Sequence, residues 1–247
     1  MRYAHGISAS CGRAIGPLAH VCHTRACVAR RVFAPHQELL RLDNATKQAQ
    51  EELRQLAQKT TQSGREILMV QQVMLDDVGL CAEMHGYIQA GAGAAAAAER
   101  AGRLYAQRLR ALKDAYLSAR ACDVLDVCQR VVRILDGISP MQLTCPSILM
   151  SDEIYPTDLV ASHDMVLGFV SSRGSPQAHA AILARAYGIP AVVQTDAAFL
   201  MCCHGQLAAL DGGSADIYLA PDTAQAARFA GSIAVNRQCA AGIFSKT

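Results

Sequence analysis

Charge is scarce in this sequence, and what there is nearly cancels. Only 18% of the 247 residues are charged, and 23 basic against 21 acidic residues leave a net charge of +2. Aromatic residues contribute 5%. Nucleic-acid binders carry clustered basic residues with interleaved aromatics, and no such cluster is evident. No run of about 18 apolar residues occurs, so no membrane span is expected. Segment 1–16 is broken every few positions by polar residues and glycines. It lacks the apolar core of a secretory signal, and a cytoplasmic location is expected. The ten cysteines include no CxxC pair. Cys22, His23 and Cys27 lie close together, as do Cys202, Cys203 and His204, but neither set has regular zinc spacing. Scattered thiols in a reducing compartment read as buried or incidental.

What is present is apolar and periodic. Hydrophobic residues make up 51% of the chain, which marks a globular protein of one or two domains. Residues 3–32 read as short strands and turns punctuated by Gly6, Gly12 and Gly16. After Pro35, Leu39, Leu42, Ala45, Ala49, Leu53 and Leu56 recur at steps of three and four, one face of a helix that Gly64 ends or interrupts. A second helical run follows from Arg65, with Ile67, Val70, Met74 and Leu75 as its stripe and a break expected at Gly79. The low-complexity stretch Gly91–Ala98 reads as a linker entering an alanine-rich helix. Tyr105, Leu109, Leu112 and Tyr116 mark one further helix face. Val124, Val127, Val131 and Ile134 mark another, with Asp126 and Arg130 paired on its outside. About four antiparallel helical segments between 33 and 136 suggest a bundle.

After Gly137 the period shortens. Residues 147–150, 166–170 and 191–193 suit strands. Residues 180–187 suit a short helix closed by Gly188. Residues 207–210 and 215–219 flank a hairpin-type turn at Asp211-Gly212-Gly213. A bundle is therefore expected inside an α/β domain built from both ends of the chain.

Chemistry concentrates in Gly174-Ser-Pro-Gln-Ala-His179-Ala-Ala-Ile-Leu-Ala-Arg185. A loop with a glycine delivers His179 to the first turn of a helix, where backbone N–H groups and the positive end of the helix dipole favour phosphate. The same positive end disfavours imidazolium, and a phosphoryl acceptor needs a neutral ring nitrogen. Ala180 and Ala181 leave room for a partner or substrate to approach. Ile182, Leu183 and Ala186 anchor the helix on the sheet.

His179-Ala-Ala-Ile-Leu-Ala-Arg185 followed by Gly188-Ile-Pro-Ala-Val-Val193 resembles the phosphohistidine motif of phosphoenolpyruvate-utilising enzymes. Within that group the chain resembles the N-terminal part of Enzyme I of the bacterial sugar phosphotransferase system. The residues that carry this are Gly6-Ile-Ser-Ala-Ser10 with Gly12, Ala14, Ile15 and Gly16; Met74-Leu-Asp-Asp77; Tyr116-Leu117, Arg120-Ala121, Asp123-Val124, Asp126, Arg130, Arg133 and Ile134-Leu135; Leu167-Gly-Phe169; and Leu210-Asp211. The resemblance spans about residues 3–222.

It implies an α/β swivelling phosphohistidine domain, residues 1–32 and 138–230, with an inserted antiparallel four-helix-type bundle at 33–137 and a tail or linker at 231–247. It implies that His179 takes a phosphoryl group from phosphoenolpyruvate held on a separate C-terminal barrel and exchanges it with the carrier HPr. Docking maps to the bundle near Glu66, Met69, Met74, Leu75, Asp76, Asp77 and Glu83. The resting histidine is oriented by a hydroxyl-type partner, which falls on Thr157 or Asp158. No cofactor is expected in this chain; Mg2+ belongs with the barrel, without which phosphoenolpyruvate is not expected to be used. The segment departs from the family in front of the histidine. Ser175 replaces a second glycine, Gln177-Ala178 replace a Thr-Ser type pair, and Pro176 removes a backbone donor. Carrier binding without transfer is therefore the competing expectation.

Overall fold

A computed structural model describes residues 2–23, 32–112, 114–196, 203–223, 226, 227 and 229. The proposed tail 231–247 and Cys27, Cys202 and Cys239 lie outside these residues. The chain divides into two compact units: Met1–Cys22 with Gln142–Thr247, and His23–Met141.

The first unit is built on eight strands: β1 (Arg2–His5), β2 (Ile7–Ser10), β3 (Arg13–His20), β4 (Ser147–Ser151), β5 (Val166–Ser171), β6 (Ala191–Val193), β7 (Leu207–Asp211) and β8 (Asp216–Leu219). Their order is β1-β8-β7-β3-β4-β5-β6-β2. The run β3-β4-β5-β6 is parallel, and the pairs at either end are antiparallel. The two end strands of this order are one stretch of chain interrupted at Gly6, so the order of neighbours returns on itself. A Cβ on Gly6 would lie 2.5 Å from the Val193 carbonyl, while the Gly6 N–H donates to Ala215 O at 3.0 Å. Only a glycine permits that approach. Gly16, expected as punctuation, lies inside β3 instead. The inward face of the strands supplies the core, including Leu18, Ile148, Met150, Val170, Val192, Leu210 and Ile217. β4 is buried along its whole length, the pattern of a strand covered on both faces. Helices α6 (Pro156–Ser162) and α7 (His179–Tyr187) pack on each other, and α7 packs on β2.

The second unit contains five helices among its described residues: α1 (Pro35–Ala57), α2 (Gln62–Met74), α3 (Val78–Gln89), α4 (Ala94–Ala111) and α5 (Ala115–Leu135). The apolar stripe of α1 is buried as its spacing predicts, with Leu42, Ala45, Ala49 and Leu53 at 3% exposure or less. The helix breaks differ from expectation. Gly64 lies in the first turn of α2, where its N–H donates to the Thr61 hydroxyl at 3.3 Å. Gly79 lies in the first turn of α3, where the Asp77 carboxylate accepts the Leu80 N–H at 2.8 Å. N-cap side chains, not glycines, set these helix starts, and the expected second segment becomes two helices. Leu112 is an exposed residue beyond α4, not part of a helix face. Ala94, Ala97, Ala98 and Ala101 are fully buried on α4, which packs along α5. Asp126 also departs from expectation. It is buried, not on the outside, and accepts from Gln71 Nε2 of α2 at 3.0 Å, while Arg130 donates to Glu52 of α1 at 2.6 Å. None of the described helices is long and apolar enough to cross a membrane.

Candidate phosphohistidine site

His179 is the first residue of α7, and it is partly exposed. The N-cap is Ala178, which has no side-chain oxygen with which to cap the helix start. That leaves the dipole end and the first-turn N–H groups as an anion-favouring feature. The far end of the helix is closed by Gly188 at φ 67°, with Ile189 N–H donating to Ala184 O at 2.8 Å. Leu183 and Ala184 are fully buried and fix the helix on the sheet. Ala180 and Ala181 are 4% and 1% exposed. They face the core and do not provide the approach room expected of them.

The loop before His179 is held from several sides. The Ser171 hydroxyl donates to Arg173 O at 2.7 Å, closing a tight turn as β5 ends. Gly174 follows at φ 101°, in the region that favours glycine. Its carbonyl accepts the Gln194 side-chain N–H at 3.1 Å. The Ala178 N–H donates to Ser175 O at 3.1 Å. Arg185 reaches from α7 and places one nitrogen, Nη1, between Pro176 O at 2.9 Å and Ala9 O of β2 at 2.6 Å. In the sequence Arg185 stands out only as part of the motif, and Gln194 not at all. Neither hold has a local signature, because each depends on a contact formed by folding.

The two orienter candidates have different surroundings. The Asp158 carboxylate accepts the Tyr155 N–H at 2.8 Å, capping the start of α6. Thr157, its neighbour in the same helix, is 7% exposed.

The residues expected to dock a partner all belong to the helical unit. Leu75 is 2% exposed, so it fills the core and cannot offer apolar contact. Met69 is 54% exposed and Met74 is half-buried. The sequence reading missed Val73 and Val78, at 71% and 83% exposure. Spacing does not set Val73 apart, since it lies three residues from Val70, and Val70, expected on the buried stripe, is itself 44% exposed. Glu66 accepts from Gln62 at 2.8 Å, Asp76 is exposed, Asp77 caps α3, and Glu83 bonds Arg108 at 3.1 Å. Among the described residues, no group of three or more His, Cys, Asp or Glu side chains could hold a metal ion.

Two family models match the chain in tandem. The N-terminal domain of PEP-utilising enzymes matches residues 5–120, and their mobile domain, which includes His179, matches residues 143–215. The chain belongs to the PEP-utilising enzymes. Among its relatives in this family, a multiphosphoryl transfer protein of Rhodobacter capsulatus is 36% identical over 183 residues, 72% of this chain and 22% of that protein. A phosphoenolpyruvate-protein phosphotransferase of Streptomyces coelicolor is 35% identical over 173 residues, 68% of this chain and 31% of that protein. That of Bacillus subtilis is 26% identical over 231 residues, 90% of this chain and 40% of that protein. The chain thus spans 22–40% of these relatives' length. A solution structure of an Enzyme I protein shares the fold, with a TM-score of 0.65 at 24% identity over 94% of this chain and 98% of that one. The mixed helical and sheet architecture of the PEP-utilising N-terminal region is therefore present here.

Proposed function

We infer that this chain supplies the phosphoryl-relay step of a PEP-utilising phosphotransferase, with His179 as the residue that receives and passes on the group. The observation that carries this reading is the placement of His179. It begins a helix with no side-chain cap, behind a turn with Gly174 in the left-handed region, inside the segment matched to the mobile domain.

The exchange balances without an added proton donor. A protonated phosphohistidine on the carrier presents phosphorus to the lone pair of the neutral His179 ring. The new P–N bond forms as the carrier's P–N bond breaks, and that electron pair returns to the carrier's ring, leaving it neutral. His179 keeps its own N–H proton as the phosphorylated imidazolium. Catalysis of such a step is mostly positioning and charge stabilisation. Thr157 is the better orienter of the ring, because the Asp158 carboxylate already caps α6 and would repel a phosphoryl group.

The carrier is an HPr-type protein that meets the helical unit. Met69, Met74, Val73 and Val78 supply apolar contact, and Glu66, Asp76, Asp77 and Glu83 face basic groups of the partner and set its register. Phosphoenolpyruvate is handled by a separate barrel-type domain.

A second reading, carrier binding without transfer, is favoured by Pro176 and the absence of a glycine pair in the loop. The two are separated by titrating purified HPr into the chain and into His179→Ala. Both readings expect equal affinity for the two proteins. Only the relay reading expects phosphorylated HPr to lose its phosphoryl group to the wild-type chain and not to the variant. No measurable HPr affinity in either protein would contradict both.

A further inference from the structure

Gln194, the residue that follows β6, has φ 58°. That is left-handed backbone, which a side chain with a Cβ disfavours and a glycine adopts freely. The Gln194 side chain is exposed, so core packing does not account for it. What it does is donate from Nε2 to the Gly174 carbonyl at 3.1 Å. The next residue, Thr195, is anchored to the same turn, its N–H and hydroxyl both donating to Ser171 O at 3.1 and 3.0 Å. Two residues beyond Gly174, Arg185 Nη1 takes the Pro176 carbonyl. Side chains from outside the loop thus hold two carbonyls on the path to His179. Pro176 has no N–H to offer, so at that residue the backbone is held through its carbonyl.

We propose that Gln194 is a positioning residue for phosphoryl transfer at His179, its amide pinning Gly174 and so setting how segment 174–178 delivers the histidine. This rests on the relay reading above. It makes an unusual demand on mutagenesis, because backbone comfort and function point in opposite directions. Gln194→Gly removes the amide and relaxes the left-handed backbone. Gln194→Glu keeps the chain length and backbone but turns a carboxylate oxygen towards the carbonyl that needs a donor.

The full chain and both variants are mixed with phosphorylated HPr, and single-turnover transfer is followed by rapid quench alongside thermal unfolding. The expected result has three parts. Gln194→Gly unfolds at the same temperature as wild type or higher. Both variants transfer about tenfold more slowly or worse, the size of loss that small misplacement of a reacting group produces. The HPr concentration for half-maximal rate stays unchanged. Variants that transfer at the wild-type rate overturn the role of Gln194 and leave the relay standing. Slower transfer accompanied by a lower unfolding temperature in Gln194→Gly also overturns it, since the residue would then be structural. A wild-type chain that accepts no phosphoryl group overturns the relay and this proposal together.

Discussion

Removing the Glu38 carboxylate tests how the helical unit is held together. Glu38 lies on α1 with no exposed surface. Its oxygens accept the Phe33 N–H at 2.9 Å and the Ala94 N–H at 2.8 Å, and both take bonds from Arg41 Nη1 at 2.9 Å. Ala94 begins α4, whose own N-cap, Gly93, has no side chain to contribute. Glu38 therefore caps α4 from another helix, with its charge at the positive end of the dipole. In Glu38→Ala the buried Ala94 N–H loses its partner, while the Arg41 guanidinium, 37% exposed, keeps the Leu135 carbonyl and the Phe33 ring. Leaving a buried donor unsatisfied in this way costs about 1–3 kcal/mol. With a urea slope of roughly 2 kcal/mol per molar, the midpoint should fall by about 0.5–1.5 M. The assay is urea unfolding of the helical circular dichroism signal at pH 7. A fall below about 0.5 M would refute the reasoning, because it would mean water replaces the carboxylate at little cost. The charge gives a second check. Burial alone raises the carboxyl pKa, but the Ala94 and Phe33 N–H groups and Arg41 outweigh it and hold the group below the ordinary range. A pKa lowered on folding contributes stability above the unfolded value near ~4.3, and that contribution is lost as pH falls through the folded value. The stability gap between wild type and Glu38→Gln should therefore narrow below about pH 4.

Two other perturbations separate core from contact and orienter from cap. Leu75→Ala should cost about 2–5 kcal/mol in urea unfolding because the side chain is buried, whereas Val73→Asp should change stability by less than about 0.5 kcal/mol yet weaken HPr binding in titration calorimetry. Equal stability losses would contradict the burial assignments, and undiminished binding by Val73→Asp would contradict the docking face. Thr157→Val should slow transfer to His179, while Asp158→Ala should cost about 1 kcal/mol from the start of α6 and leave the transfer rate near wild type. The opposite pattern would make Asp158 the orienter.

Much of the architecture could be read from the chain because local patterns and tertiary burial agree. The α1 stripe from Leu42 to Leu53 repeats with the helical period, and the short apolar runs of β4, β5 and β7 are long enough for strands buried along most of their length. Two differences have separate causes. Gly64 and Gly79 look like breakers by residue type, but Thr61 and Asp77 beside them cap and so set the helix starts. Asp126 looks external by charge, yet Gln71, which lies 55 residues earlier in the chain, reaches it in the interior. At the site, His179 and its helix could be read from the motif. The grip on the loop could not, since Gln194 and Gly174 are 20 residues apart and meet only in the folded strand order.

The central claim is that His179 carries a phosphoryl group, and direct labelling tests it. The native chain is incubated with phosphorylated HPr and analysed by intact mass and peptide fragmentation, before and after brief acid treatment. The account predicts one added phosphate, on His179, lost in acid and absent from His179→Ala. Native protein that binds HPr but gains no phosphate, or gains it on another residue, would contradict the account.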